Sequence, residues 1–374
     1  RSTQGVSSAA SDVYKRQARY SLDSWNLLAF KHKNMEKISN ILFISPNPVW
    51  GGAATANLEI ATMLQKNGYK VIVNDEYYLY DNYNGLKIDH TPIHKKRFSN
   101  RKLLQKLIME HDINCIIWSP LVAIYFYLDI IKLKKYGINQ IAIVHSLSLR
   151  QNWKGRLMDY LISKTLADMS SIVYVSKYTL NSWNKYRAIR NSKSQQVVIH
   201  NIVDYVSNEK HILQINRPRI GFVGRLSIEK QPDIFCKLSI NRKYIFMAYG
   251  DGPLESDLKD NYRNVEFKGL YRDITQIYSN IDILVITSRF ENCPMVILEA
   301  QAFGIPCVAP NVGGIPEIIE NGINGILYED YDVESINKAI TEIISNYQFF
   351  SNHCLEHSKK HNSIATIKHW KQIL

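Results

Sequence analysis

Glu291 and Glu299 have seven residues between them, in a stretch that runs from Thr287 to Gly304. The apolar, β-branched run from Ile281 to Ile286 precedes them and reads as a buried strand. Pro294 can open a helix, because its missing N–H would be an orphan at the first helical position. Met295, Val296, Ile297, Leu298 and Ala300 fill that helix and Gly304 ends it. Glu291 then lies in the loop and Glu299 in the helix, with free backbone N–H groups between them that favour an anion. A ligand with hydroxyls at both ends and an anionic middle matches this order, and a nucleoside diphosphate sugar has that shape. Glu291 would take sugar hydroxyls, Glu299 a ribose, and the N–H groups the diphosphate. Two glutamates at this spacing are commonplace on solvated helices, so the surrounding residues decide.

Gly51 and Gly52 follow the first strand, where the lack of a Cβ lets backbone approach a ligand closely. Arg225 follows Gly224 at the end of another strand, and Lys230 comes five residues later. A guanidinium fork and an ammonium at a strand end suit a diphosphate. His145 follows the strand-like Ile141–Val144 and can meet a sugar hydroxyl or steady a developing charge. Gly313 and Gly314, ahead of Glu317, form either a second close-approach loop or an ordinary turn. Asp330 and Asp332 make an Asp-x-Asp, but Asp332 stands ahead of a helical pattern and reads as its cap. No metal is expected.

These residues need elements to carry them. Strand-like segments at 41–45, 69–74, 115–118, 140–144, 171–175 and 197–204 alternate with helical ones. A polar linker at 205–218 separates them from a second series at 220–224, 244–248, 265–269, 281–286, 305–309 and 325–328. Such alternation predicts α/β architecture, with two Rossmann-like doubly wound domains facing across a cleft. Ligands bind at the carboxyl ends of such strands. The expected boundaries are a leader at 1–34, an N-terminal domain at 35–208, and a C-terminal nucleotide-sugar domain at 209–362. A last helix at 363–374 returns to the first domain. The leader shows little periodicity, reads as foreign to the fold, and leaves Met35 as the start.

The 374 residues, 45% of them hydrophobic, supply enough material for two cores. Five scattered cysteines, without a C-x-x-C pair, give no zinc framework and fit reduced thiols. No apolar run nears the length of a membrane span and no start resembles a signal peptide, which predicts a cytoplasmic protein. The net charge of +12 is uneven: 22 basic residues face 12 acidic ones between 35 and 208, but 18 face 20 beyond 208. The basic residues Lys95, Lys96, Arg97, Arg101, Lys102 and Lys106 suggest either a solvated helix face or docking on anionic lipid at the inner face of the plasma membrane. A nucleic-acid binder is disfavoured, because no recognised binding motif accompanies the charge.

Gly51-Gly52, His145, Asn201 with Asp204, Gly224-Arg225 with Lys230, Gly250 to Pro253, the glutamate pair and Gly313 to Glu317 occur in one order. In that combination the chain resembles glycosyltransferase family 4, retaining enzymes of the GT-B fold, from about residue 38 to the C-terminus. The resemblance implies that Arg225 and Lys230 bind the donor diphosphate and that Glu299 holds the ribose. It implies that Glu291 and backbone groups of Asn292, Cys293, Pro294 and Met295 contact the donor sugar, with Val296 also among the donor-binding residues. Gly52 would approach the phosphate, and His145 the sugar. It further implies no metal and no cofactor, a UDP- or GDP-linked donor as co-substrate, and a glycan or polyprenyl-linked acceptor in surface polysaccharide synthesis. Asn292 and Cys293 stand where glycine and an aromatic residue are common in the family, which leaves the sugar open. Gln231 and Ile202 each replace a frequent glycine. The rival enzyme is a nucleotide-sugar epimerase of the same fold, which would turn over without an acceptor.

Overall fold

The computed structural model describes residues 38–45, 51–75, 82–93, 97–148, 152–205, 212–214, 216–271 and 273–374. The expected leader, the loop at 46–50, Lys95, Lys96 and half of the linker (206–211 and 215) lie outside the described residues.

The first sheet contains β1 (Asn40–Ile44), β2 (Lys70–Asn74), β3 (Asn82–Tyr83), β4 (Leu86–Asp89), β5 (Cys115–Trp118), β6 (Asn139–Val144), β7 (Ser171–Tyr174) and β8 (Gln195–Val198). Among the described residues its order is β3-β4-β2-β1-β5-β6-β7-β8, parallel except for the β3–β4 hairpin. The second sheet contains β9 (Arg219–Val223), β10 (Ile245–Tyr249), β11 (Val265–Gly269), β12 (Ile283–Val285), β13 (Cys307–Pro310) and β14 (Gly325–Tyr328). Its order is β11-β10-β9-β12-β13-β14, and its pairs are parallel. The neighbours β1 and β5, and β9 and β12, mark where each strand order reverses, and crevices open there at the carboxyl ends.

Continuous apolar runs form these strands because helices cover both faces of a parallel sheet. The two-residue alternation then splits β1 between two cores: Ile41 and Phe43 join one cluster, Leu42 and Ile44 another. The first of these clusters runs on into Leu284, Met295, Ile297 and Leu298, so one apolar core is shared by the two sheets. Ile220, Phe222, Ile283 and Val285 face a third core beyond the second sheet. The last helix, Ser363–Lys371, lies against the Gly52–Lys66 helix, and Trp370 and Ile373 enter the shared core. Asn139 Nδ2 donates to the Ile373 carbonyl at 3.1 Å.

Some elements differ from the sequence reading. The first helix begins directly at Gly52, where the sequence reading placed a close-approach loop, because the alanines after the glycines are strong helix formers and its inner face is buried. Of the strand expected at 197–204 only Val197 and Val198 pair, within a strand that begins two residues earlier at Gln195; the rest leaves the sheet for the interdomain seam. The β3–β4 hairpin was not expected, although Asn84 and Gly85 form its turn with φ of 48° and 84°, the left-handed pair that a tight hairpin favours.

Asp282, fully buried, fixes the start of β12 against β9. Its Oδ2 accepts from the Arg219 backbone N–H at 2.7 Å and from Nε at 3.1 Å, while Oδ1 accepts from Nη2 at 2.8 Å. Breaking a buried pair strands the other charge. Asp282→Ala is therefore expected to destabilise the protein by about 3–5 kcal/mol in chemical denaturation. A loss within about 0.5 kcal/mol, as at an ordinary surface site, would refute this role.

Candidate functional site

A cavity of ≈ 1740 Å³ lies between the sheets. Gly51, Gly52, His145, Arg225, Lys230, Glu291, Asn292, Cys293, Pro294, Met295, Val296 and Glu299 all line it. The fold thus brings the whole predicted set to one cleft, from the carboxyl ends of β1, β6, β9 and β12.

Lys230 Nζ lies 2.5 Å from Glu291 Oε1, with 31% and 11% of the two side chains exposed. The Ser288 hydroxyl donates to the same oxygen at 2.8 Å. Glu291 Oε2 is left without a protein donor among the described residues. Thr287 Oγ1 donates to the Lys230 and Gln231 carbonyls at 2.8 and 2.9 Å, which ties the lysine's backbone to the glutamate's loop. Gln231, at a frequent glycine position of the family, takes a left-handed φ of 46°. Arg225 is exposed toward the cavity and pairs with no carboxylate among the described residues. An ammonium with donors to spare and an unpaired guanidinium can receive two linked phosphates.

Two helix N-termini meet here. Gly51 caps the Gly52–Lys66 helix and Pro294 caps the Met295–Ala302 helix, and neither helix has an acid in its first turn. Pro294 is the cap residue rather than the first helical residue expected. Its extended ψ of 121° turns its carbonyl to accept the Ile297 N–H, so the first orphan N–H belongs to Met295. A Cβ on Gly52 would lie 3.7 Å from Met295 Cγ, so the two helix starts are in contact across the domains.

The loop at 291–294 is gripped from both sides. Asn292 Nδ2 donates to the His145 carbonyl at 2.6 Å, and Asn201 Nδ2 donates to the Cys293 carbonyl at 2.7 Å. Each bond crosses between the domains. The Gly314 N–H donates to the Glu291 carbonyl at 2.9 Å. A Cβ on Gly314 would fall 1.7 Å from the Asn292 oxygen, and one on Gly313 2.0 Å from the Glu291 oxygen, so only glycine fits this approach. Glu317 then reaches the other domain: it accepts from the Lys177 and Tyr178 N–H groups at 2.8 and 2.9 Å and lies 3.1 Å from His200 Nε2. The stretch is a turn, and its close approach is to the backbone of the 291–292 loop; neither glycine lines the cavity, so the approach to a ligand expected of it is not seen.

Asn292 Oδ1 is buried without a hydrogen-bond partner among the described residues, an acceptor left in the cavity wall. Burial lowers the His145 pKa to about 4, so the ring is neutral at neutral pH. Asn57 Nδ2 donates to Ser45 Oγ at 2.6 Å, which turns Asn57 Oδ1 toward His145 Nε2 at 2.8 Å. The imidazole proton therefore sits on Nε2, and Nδ1 is the acceptor a hydroxyl can use. The neutral ring can accept from a hydroxyl at Nδ1, which is one of the two roles expected for His145.

Glu299 is buried and accepts from the Tyr278 hydroxyl at 2.7 Å. Burial raises its pKa to about 7, against the pull of Tyr278 and with help from the nearby Glu59. Glu59, Tyr83 and Asp204 also line the cavity and were missed as site residues; Asp204 was noted only beside Asn201. Tyr83 donates to Glu59 at 2.9 Å, and Lys66 pairs with Asp204 at 2.8 Å. Glu59 lies mid-helix, and only the packing of that helix beneath the cleft reveals it.

Elsewhere, Asp332 caps its helix as expected, accepting from the Ser335 N–H at 2.8 Å. Among the described residues, no group of three His, Cys, Asp or Glu is placed to hold a metal ion, and no helix is long and apolar enough to cross a membrane. On the basic helix at 97–110, Arg101 pairs with Asp129 at 2.9 Å and Lys106 with Glu110 at 3.6 Å.

Two sequence families match the chain. One, described as Glycosyl transferases group 1, covers residues 217–346; the other, described as Glycosyltransferase Family 4, covers residues 50–206. The chain is 29% identical over 223 residues to an uncharacterized glycosyltransferase of Methanocaldococcus jannaschii, covering 57% of this chain and 60% of that one. It is 32% identical over 154 residues to the UDP-Gal:alpha-D-GlcNAc-diphosphoundecaprenol alpha-1,3-galactosyltransferase of Escherichia coli, covering 36% of this chain and 39% of that one. The match thus spans less than two thirds of the length of either relative. The crystal structure of Anabaena Alr3699/HepE in complex with UDP and glucose superposes with a TM-score of 0.72 at 17% identity, over 89% of this chain and 98% of that one. At that identity it shows the fold, which is GT-B.

The Glu299 shift makes stability depend on pH. Below its ordinary value of 4.5 the folded and unfolded chains both hold the proton, and the stabilisation is complete. As pH rises through about 7 the buried carboxyl must ionise, and the stabilisation is lost. Glu299→Gln is therefore expected to gain on the wild type across that window, by on the order of 3 kcal/mol. Denaturation of both proteins at either end of the window measures it; a pH-independent difference would contradict the assignment.

Proposed function

The chain belongs to the group 1 glycosyltransferases of family 4, and from that premise we propose that it moves a hexose from a nucleoside diphosphate sugar to a lipid-linked glycan, with retention at the anomeric carbon. The observation that carries this reading is the convergence of Lys230, Arg225, Glu291, Glu299 and two helix N-termini on one interdomain cavity. Arg225 and Lys230 take the diphosphate, assisted by the Gly52 and Met295 helix starts. In this reading they supply the positive charge that a metal ion supplies elsewhere, and the reaction needs none. Glu291 Oε2 and Asn292 Oδ1 take hydroxyls of the sugar, His145 accepts another, and Glu299 holds the ribose.

The bond between the sugar's anomeric carbon and the diphosphate oxygen breaks, and the acceptor oxygen bonds to that carbon. The acceptor proton passes to the departing diphosphate on the same face. Charge builds on that diphosphate in the transition state, so the two cations act most strongly there. The galactosyltransferase relative is named for a UDP-linked donor and a diphosphoundecaprenol acceptor, which supports this donor class and a polyprenyl-linked acceptor. Work on such an acceptor belongs to surface polysaccharide synthesis on the cytoplasmic side of a membrane.

Arg225→Ala, Lys230→Ala and Glu291→Ala are each expected to lower transfer about 10²–10³-fold, as loss of a preorganised charge does elsewhere. Wild-type turnover in all three would overturn the reading. The donor is found by thermal shift over a panel of UDP- and GDP-hexoses: a bound one at about 100 times its Kd adds about 2.7 kcal/mol.

A further inference from the structure

The helix Trp153–Ala167 leaves a large apolar stripe uncovered on the N-terminal domain. Trp153 is 70% exposed, Leu157 51%, Tyr160 46% and Leu161 45%, at the spacing of one helical face. The Pro120–Ala123 helix and the turn after it pack against this helix, and Leu121 and Tyr125 there are exposed, as is Leu128 on the following Tyr127–Lys135 helix. Large apolar side chains clustered in this way mark an interaction site.

Exposed cations outnumber acids around the stripe, with Asp168 half-buried at the helix's C-terminal cap. Lys154, Arg156 and Lys164 are exposed on the same helix, and Lys132, Lys134 and Lys135 on the neighbouring Tyr127–Lys135 helix. The acids of both helices are turned inward. Asp159, 1% exposed, accepts from the Ser148 hydroxyl at 3.0 Å, and Asp129 is held by Arg101 at 2.9 Å. Lys154 Nζ stands 5.6 Å from the Trp153 ring centroid and Lys164 Nζ 5.4 Å from that of Tyr160. Aromatic and leucine side chains rimmed by ammonium groups match the boundary between acyl chains and anionic headgroups.

We propose that this face docks the protein on an anionic phospholipid bilayer. Ser148, which holds Asp159, lies three residues past His145, so the docked helix is tied to the lip of the cavity. A lipid-linked acceptor would then present its glycan beside the donor. That purpose rests on the transferase reading; the docking itself does not. The sequence reading sought docking on the helix at 97–110 from charge alone. Two of the cations there are partnered by Asp129 and Glu110.

The test is sedimentation of the full chain with vesicles of phosphatidylcholine alone and of phosphatidylcholine mixed equally with phosphatidylglycerol. Retention on the mixed vesicles only is expected. Trp153→Ser with Leu157→Ser should cut that retention about tenfold or more, since apolar burial and headgroup attraction act together. Lys154→Gln with Lys164→Gln should remove the preference for anionic lipid, and Lys102→Gln with Lys106→Gln should change little. These positions are exposed, so an unchanged melting temperature certifies the fold of each variant. Equal retention on both vesicles, or a Trp153/Leu157 variant that sediments as the wild type, overturns the proposal. So does loss confined to the Lys102/Lys106 variant. Retention that follows charge alone points instead to an acidic soluble partner and overturns it too. No sugar donor or acceptor is present, so failure here leaves the transferase reading standing, and failure of the transfer assay leaves the docking standing.

Discussion

The loop from Glu291 to Pro294 depends on hydrogen bonds to its backbone carbonyls. The Gly314 N–H takes the Glu291 carbonyl, and the Asn201 amide takes that of Cys293. In return, Asn292 donates to the His145 carbonyl of the other domain. Buried carbonyls must be paired, so these few bonds fix the loop and the facing of the domains at once. A backbone held this rigidly presents the Met295 N–H and the Glu291 carboxylate without reorganising when a ligand arrives.

Charge in the site follows the same economy. The Lys230 ammonium and the Glu291 carboxylate pair with each other, yet each keeps hydrogen-bonding capacity for a ligand. Glu299 behaves differently. It is buried with a neutral tyrosine rather than a cation, so its proton affinity rises instead of falling. Two carboxylates eight positions apart are thus set for different work by their surroundings alone.

Beneath the cleft, a single apolar core joins the sheets, with the Gly52–Lys66, Met295–Ala302 and Ser363–Lys371 helices in contact around it. The helices that begin at the cavity are the ones whose sides fill this core. Packing of the shared core therefore sets where their N-termini point. Glu317 adds a polar tie by closing the N-terminus of the Lys177–Trp183 helix in the opposite domain.

The amino-acid sequence determined which residues would meet. Repeated strand and helix segments impose two parallel sheets, and each sends its strands' carboxyl ends to one edge, so Gly52 and His145 had to gather at one edge and Arg225 and Glu291 at another; that the two edges face each other is decided by the tertiary structure. Helix ends were legible for a similar local reason: Gly304 and Asp332 act through neighbours a few residues away. The left-handed Asn84-Gly85 turn was just as local. What only the tertiary structure decided depends on distance through space and on exclusion of water. The neutral state of His145, the raised pKa of Glu299 and the pairing of Lys230 with Glu291 arise among groups far apart in the chain, and periodicity along a sequence carries no record of such distances.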